Sequence, residues 1–243
     1  MRLLSYTLPP GGDTSSSYGS TVSPIYLHTF LTKCPSQKSS QFQSWKPPPK
    51  SNLLPSRQPP PSHQSLGPDI EDPTLFPRLA DNQSPDILWI GCSDSRCPET
   101  TLLHLHPGDI FVERNIANIL HPSDPNALAV IEYAVLNPKV QLIILCGHKA
   151  CGGVEAILDD QELTLGLELW LEPLKQVREE HRLELDSLTR ERAAVRLAEL
   201  NVFAGVRALQ ELEFVKEAMR DGLKVYGLFY NVGDGMLREL LRV

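Results

Sequence analysis

The sequence Gly91-Cys92-Ser93-Asp94-Ser95-Arg96 and the later sequence Gly147-His148-Lys149-Ala150-Cys151-Gly152-Gly153 decide how this chain folds. Each follows a short apolar run, at residues 87–90 and 142–145, with the composition of a buried β-strand. Strands that alternate with helical segments predict a parallel sheet, and such sheets place binding sites at the carboxyl ends of their strands. We therefore expect the polar groups of the two segments to meet at one end of a sheet.

The first feature with chemical consequences is the set Cys92, His148 and Cys151, because zinc prefers sulfur and imidazole ligands. Three protein ligands leave a coordination position for water or substrate, which is typical of catalytic zinc; structural zinc has four. A single His-x-x-Cys also occurs by chance, and a cysteine at a strand end is commonly a small buried hydrophobic residue. The charged residues Asp94 and Arg96 just after Cys92 favour the metal site over that alternative.

The two segments 91–96 and 147–153 closely resemble those of the β-class carbonic anhydrases. The resemblance runs through residues 75–243 and includes the segments 111–118, 131–135 and 230–235 in the same order. It implies an enzyme with one Zn²⁺ per subunit, held by Cys92, His148 and Cys151. It also implies reversible hydration of carbon dioxide to bicarbonate and a proton, with zinc-bound hydroxide as the nucleophile.

Asp94 and Arg96, the acid and the base beside the candidate ligands, are the predicted catalytic residues. Asp94 could accept a hydrogen bond from the hydroxide and orient it, and Arg96 would keep the Asp94 carboxylate ionised through a bidentate pair. The resemblance implies the same roles. It also implies a closed state, in which Arg96 releases Asp94 and the carboxylate becomes a fourth zinc ligand. The alternative is an ordinary surface ion pair beside a turn.

Two further groups of residues are candidate anion sites. Gly152 and Gly153 open a helix whose backbone N–H groups and dipole point toward the metal loop and favour an anion, either thiolate or bicarbonate. The resemblance implies a regulatory bicarbonate pocket at Trp89, Arg114 and Tyr230, and hence inhibition by bicarbonate and lower activity at lower pH. Trp89 as a core residue and Tyr230 as an interior hydroxyl remain alternatives.

Composition limits the partners. The net charge of −7 divides into +3 over residues 1–80 and −10 over residues 81–243, and an acidic body argues against nucleic acid. No apolar run approaches the roughly 20 residues of a membrane span, and no signal-peptide pattern follows the first residues. We therefore expect a small-molecule substrate, carbon dioxide or bicarbonate, with no nucleic-acid or membrane partner.

The five cysteines, at positions 34, 92, 97, 146 and 151, do not have the spacing of a disulfide framework. Thiolate ligands must stay reduced, which favours the cytoplasm. A mitochondrial location is the alternative, because the segment before residue 69 is rich in serine and poor in acids. Its prolines, and the lack of arginine between Arg2 and Arg57, argue against a transit peptide. Cys97 and Cys146 are expected to be small buried side chains.

The chain divides by composition into two parts. Residues 1–70 are rich in proline, serine and glutamine and predict a disordered segment. Residues 71–243 predict a single α/β domain with a mainly parallel β-sheet flanked by helices. Members of the resembled family carry N-terminal helices with an Asn and a Trp-Ala pair that complete a dimer, and no such segment is visible here. We expect a homodimer or higher homo-oligomer, weakened if those helices are truly absent.

Hydrophobic periodicity places the elements of this domain. The predicted strands are 87–90, 109–113, 140–146 and 223–229. The predicted helices include 126–136, 152–158, 165–170 and 173–181, a long helix capped by Ser187, and a terminal helical turn or two over 236–241.

Two functions of other classes stay open at the level of sequence. The first is a non-catalytic zinc protein or pseudoenzyme. The second is hydrolysis of a carbon dioxide analogue, such as carbonyl sulfide, which the same metal ligands could support.

Overall fold

The computed structural model describes residues 74–121 and 123–243. The predicted disordered segment 1–70 and the question of the dimer-completing helices lie outside these residues and stay predictions. The described chain contains five strands: β1 (Ile87–Cys92), β2 (Ile110–Asn115), β3 (Leu142–His148), β4 (Lys224–Asn231) and β5 (Met236–Arg242). In chain order its helices are α1 (Leu75–Asp81), α2 (Glu99–Leu103), α3 (Pro125–Leu136), α4 (Gly152–Leu158), α5 (Leu165–Trp170), α6 (Glu172–Glu180), α7 (Arg182–Asp186), α8 (Arg190–Glu211) and α9 (Glu213–Arg220).

The strands form one sheet in the order β2-β1-β3-β4-β5. The pairs β1–β2, β1–β3 and β3–β4 are parallel, and only β5 is antiparallel to its neighbour β4. Every residue of β1 and of β3 is buried, as expected for parallel strands covered on both faces. The predicted α/β class with a mainly parallel sheet is confirmed.

The two faces of the sheet are covered differently. On one face Leu88, Ile90, Ile143 and Leu145 pack in a buried cluster with apolar residues of α3, α8 and α9. On the other face a second buried cluster, which contains Trp89, Ile144, Cys146 and Tyr230, packs with Cys97 and with Leu103 of α2. Helix α3 contributes four buried residues to the first cluster, and the long helix α8 contributes Val202, Val206 and Leu209.

Two sequence-based predictions of local structure are wrong. Residues 236–241 form the strand β5, because the turn that follows β4 folds the chain back along the free edge of that strand. Helix α8 begins at Arg190 after Thr189, and Ser187 instead donates its hydroxyl to the carbonyl of Glu184 at the end of α7. In both cases spacing alone left the element or its start open, and tertiary pairing decided it.

Candidate metal centre

Three buried side chains meet at the carboxyl ends of two adjacent strands. Cys92 is the last residue of β1, His148 is the last residue of β3, and Cys151 immediately precedes α4. Because β1 and β3 pair directly in parallel, both strands end at the same place. One sulfur from Cys92, one from Cys151 and one ring nitrogen from His148 lie within 4.8 Å of one another, as the sequence predicts.

The geometry fits a zinc ion. The sulfur atoms of Cys92 and Cys151 are 4.0 Å apart, close to the separation of about 3.8 Å that two sulfurs take at tetrahedral angles around zinc with bonds of about 2.3 Å. His148 Nδ1 lies 3.0 Å from the carbonyl oxygen of Lys149, which can only accept, so Nδ1 donates. In the neutral ring Nε2 then carries the free lone pair, and it is buried without a hydrogen-bond partner among the described residues. That is the tautomer a metal ligand needs.

The protonation of these groups is strongly perturbed. A hydrogen bond from the Cys151 thiol lowers the pKa of Cys92 to about 4, although burial opposes the change. The same hydrogen bond, together with burial, raises the pKa of Cys151. For His148, burial acts to lower the pKa, but the nearby sulfurs of Cys92 and Cys97 outweigh it and raise the pKa to about 10. Because zinc binds thiolate sulfur and neutral imidazole, metal binding at this site is coupled to the release of protons.

Asp94 and Arg96 form a clamp over this site. Arg96 donates from Nε to Asp94 Oδ1 at 2.9 Å and from Nη2 to Oδ2 at 2.7 Å, and its backbone N–H adds a third bond to Oδ1 at 2.9 Å. These bonds hold the pKa of Asp94 well below its usual range. Oδ2 is 4.0 Å from Nε2 of His148, so the carboxylate lies directly beside the candidate metal position. The same Nη2 of Arg96 also donates to the carbonyl of Ala150 at 2.8 Å and thereby joins the two ligand-bearing loops.

Of the two glycines after Cys151, Gly153 is closely packed and Gly152 faces open space. A Cβ at Gly153 would stand 3.0 Å from the Cβ of Ala117, whereas a Cβ at Gly152 would meet nothing within 4 Å. The backbone N–H groups of Val154 and Gly153 act to lower the pKa of Cys151, against the larger upward effects of Cys92 and burial. The prediction of an anion at the start of α4, either thiolate or bicarbonate, stays a prediction.

The three residues predicted to bind regulatory bicarbonate have different surroundings. Trp89 and Tyr230 belong to the same buried cluster, and the indole Nε1 of Trp89 is buried with no hydrogen-bond partner in the described part of the chain. Arg114 is directed to the ligand loop: its Nε donates to the carbonyl of Cys92 at 2.9 Å and its Nη2 to that of Asp94 at 2.6 Å. Its Nη1 lies 3.7 Å from the carboxylate of Glu99.

Sequence reasoning missed several residues that shape the site. Glu99 carries no signal of a site in the sequence, because an acid just after a proline is typical of a helix start. Asn201 of α8 donates to the carbonyl of Ala117 at 2.8 Å and supports a turn, Ile116–Asn118, in which Ala117 has a φ of 62°. A cavity of about 510 Å³ opens beside Ser93 and is walled by Ile116 and Trp170 among others. No sequence signal would have found these contacts, because they join segments far apart in the chain.

Cys97, Cys146 and the turn after β4 have structural roles in the described part of the chain. Cys97 and Cys146 are buried and free, as predicted. Asn231 accepts from the backbone of Gly233 and donates to Asp234, so it organises the turn that leads into β5.

The fold and the site together define a class: an α/β enzyme with a Cys2His metal site at the strand ends. The carbonic anhydrase family model matches residues 87–237. A carbonic anhydrase of Emericella nidulans is 40% identical over 172 residues, which cover 70% of this chain and 75% of that protein. The chain belongs to the β-class carbonic anhydrase family.

Solved structures agree with this assignment. A tetrameric β-carbonic anhydrase from Sordaria macrospora superposes with a TM-score of 0.69 at 51% identity, over 71% of this chain and 89% of that one. A β-carbonic anhydrase of Aspergillus fumigatus gives a TM-score of 0.68 at 56% identity, over 69% and 81% of the two chains. Within residues 74–121 and 123–243, no helix has the length and apolar character needed to cross a bilayer.

Proposed function

We propose that this protein interconverts carbon dioxide and water with bicarbonate and a proton, using one zinc ion held by Cys92, His148 and Cys151. The observation that carries the proposal is the meeting of these three ligand atoms within 4.8 Å beside the Asp94–Arg96 clamp. Zinc, when bound, lowers the pKa of a coordinated water from 15.7 to roughly 7 and so supplies hydroxide near neutral pH.

Asp94 is the residue that orients the nucleophile. Both of its oxygens accept hydrogen bonds from Arg96, so the carboxylate is fixed and remains an acceptor. An acceptor beside the metal position selects the orientation in which the nucleophile donates its hydrogen to Asp94 and turns a lone pair toward the carbon of carbon dioxide. If Arg96 releases it, Asp94 is free to act as the fourth ligand of a closed state. Gly152, with open space around it, leaves room for bicarbonate at the start of α4.

We also propose that Trp89, Arg114 and Tyr230 bind a regulatory bicarbonate. The support is the buried indole N–H of Trp89, because an unpaired buried donor is costly and a bicarbonate oxygen would satisfy it. Trp89→Phe removes that donor and should raise the bicarbonate concentration for half-inhibition by about fivefold, the equivalent of one hydrogen bond of roughly 1 kcal/mol. Ile144→Val, in the same cluster, is the control. Equal inhibition of Trp89→Phe and the parent protein would remove Trp89 from the pocket.

We propose that the protein forms a homo-oligomer in a reducing compartment. Tyr133 is 46% exposed, stacks on Phe111 with ring centroids 5.8 Å apart, and lies near the exposed Leu136. An aromatic and aliphatic surface of this kind favours a homo-oligomer, either a dimer or a larger assembly. Thiolate ligands require a reducing compartment, for which we propose the cytoplasm, with mitochondria as the alternative. Light scattering with size-exclusion chromatography measures the first property, and localisation of the tagged full chain measures the second.

Stopped-flow carbon dioxide hydration with zinc analysis on the same sample tests the function. We expect about one zinc per chain and a hydration rate that disappears when the metal is removed and returns with added zinc. Zinc without hydration would identify a non-catalytic zinc protein, and turnover of carbonyl sulfide without carbon dioxide hydration would identify the other rival. Neither rival is favoured, because the ligands and the clamp are all present.

A further inference from the structure

Glu99 is a buried acid outside the predicted site. Glu99 opens α2 and is only 9% exposed, and its Oε2 has no hydrogen-bond partner among the residues that the structure describes. A buried carboxylate is costly unless a cation compensates it. The cation beside it is Arg114, whose Nη1 is 3.7 Å from Oε2.

Each of the three nitrogens of the Arg114 guanidinium faces an acceptor. Nε donates to the carbonyl of Cys92, Nη2 donates to the carbonyl of Asp94, and Nη1 faces Glu99. The two carbonyls belong to a metal ligand and to the acid that orients the nucleophile. A planar fork held at its third nitrogen therefore fixes the backbone on both sides of Ser93.

We propose that Glu99 is a positioning residue for the metal loop, acting through Arg114 on the backbone of Cys92 and Asp94. This inference rests on the proposed function, because it explains how the ligand and the orienting acid keep their relative places. Loss of the charge at Glu99 frees Nη1, loosens the fork and lets the segment 92–96 fluctuate.

The simpler account of Glu99 is an acid that stabilises the start of a helix. It is weak here, because α2 has only five residues and therefore a small dipole. A helix-start acid also functions at the surface, where it avoids the cost of burial. Glu99 is buried against the arginine that holds the metal loop.

A matched control lies one residue before Arg114 on the same strand. Glu113 is 7% exposed and accepts hydrogen bonds from Asn126 of α3 at 3.3 and 3.4 Å. It is a buried acid of similar exposure whose hydrogen-bond partner belongs to a helix rather than to the metal loop. Glu113→Gln therefore reports the cost of neutralising a buried acid without touching the fork.

The experiment compares zinc-loaded Glu99→Gln and Glu113→Gln with the parent protein. Three quantities are measured: kcat and KM for carbon dioxide per bound zinc, the rate of zinc release to a chelator, and Tm. For Glu99→Gln we expect kcat per zinc to fall about tenfold, KM to stay within about twofold, and zinc release to accelerate about tenfold, as for other outer partners of metal ligands. Glu113→Gln should change only Tm.

A double-mutant cycle tests the route through Arg114. In an Arg114→Lys background the fork is already lost, so Glu99→Gln should change kcat and zinc release by less than about twofold. If Glu99→Gln lowers kcat and speeds zinc release by the same factors in the Arg114→Lys background as in the parent protein, Glu99 does not act through Arg114. If Glu99→Gln alone has the parental kcat and zinc-release rate, Glu99 is not a positioning residue. If Glu99→Gln does not fold, Glu99→Asp replaces it in the same measurements. The aspartate keeps the negative charge but places it one methylene farther from Arg114, so the expected changes in kcat and zinc release are smaller.

Failure of the proposed function is distinguishable from failure of this inference. A zinc-loaded parent protein without carbon dioxide hydration would refute the function. The zinc-release rates of the same variants would still decide whether Glu99 positions the metal loop.

Discussion

The loop after β1 and the loop after β3 both carry metal ligands, but they are held in different ways. In the loop after β1, Ser93, Ser95 and Arg96 are exposed, and side chains hold the backbone. Arg96 hydrogen-bonds the carboxylate of Asp94, and Arg114 donates to two backbone carbonyls.

The loop after β3 passes directly from a buried strand into α4. Its backbone is fixed by the bond from Lys149 N–H to the carbonyl of Tyr230 and by the left-handed conformation of Ala150, at a φ of 57°.

The two loops therefore suit different tasks, one of binding the metal and one of acting on the substrate. The loop after β3 supplies two of the three ligands from a rigid, mostly buried segment, which suits permanent metal binding. The loop after β1 supplies one ligand together with the charged groups that act on the substrate, and its side-chain contacts can be released and remade. Arg96, which bonds the carbonyl of Ala150, is the link between them. The following predictions test this division from the largest expected effect to the smallest.

Removal of a ligand from the rigid loop should have the largest effect. His148→Ala takes away the only imidazole of the set, so the protein should lose zinc and its hydration rate should fall by at least about 10³-fold, a modest part of typical enzymatic accelerations. Zinc analysis and stopped-flow hydration measure both losses. Cys92→Ser should behave alike. Stoichiometric zinc in His148→Ala would show that the ligand set is wrongly assigned.

Removal of the orienting charge from the loop after β1 should separate metal binding from turnover. Asp94→Asn keeps the shape of the side chain but removes the carboxylate, so zinc should remain while kcat falls by about 10²- to 10⁴-fold. The measurement is kcat per bound zinc. A full hydration rate in this variant would contradict the role of Asp94.

Weakening the link between the loops should have an intermediate effect. Arg96→Lys keeps the positive charge but cannot bond Asp94 bidentately and Ala150 as well, so kcat per zinc should fall about tenfold with KM nearly unchanged. Lys149→Arg, at a half-buried position next to His148, is a control for general changes of charged side chains near the site. Equal losses in the two variants would mean that the link has no special role.

The smallest effect concerns the packing of the rigid loop. A Cβ at Gly153 would press on Ala117, whereas a Cβ at Gly152 meets open space, so the two alanine variants form a matched pair. Gly153→Ala should lower the free energy of unfolding by about 1 kcal/mol, and Gly152→Ala should leave it unchanged or raise it by up to about 1 kcal/mol. Denaturant unfolding of the zinc-loaded proteins measures the difference. Equal stabilities would show that Ala117 yields without cost.

Much of the fold could be predicted because its signals are local. The runs at β1 and β3 are continuously apolar, and the helical spacing at α3 is regular, so these elements were predicted close to their observed bounds. The terminal segment failed because Met236, Leu237, Leu240 and Leu241 have a spacing that suits one face of a helix. The free edge of β4 made a strand more favourable, and that edge exists only in the folded sheet.

The sequence by itself determined the candidate ligands Cys92, His148 and Cys151 and the acid and base beside them, because residue type and strand-end position are both written in the chain. Only the tertiary structure decided what holds them. The carbonyl of Ala150 as a partner of Arg96, and the chain of contacts from Glu99 through Arg114 to the metal loop, join segments that no local pattern connects. Ligand identity is a property of side-chain chemistry, whereas their positioning depends on distances that exist only after the strands have paired.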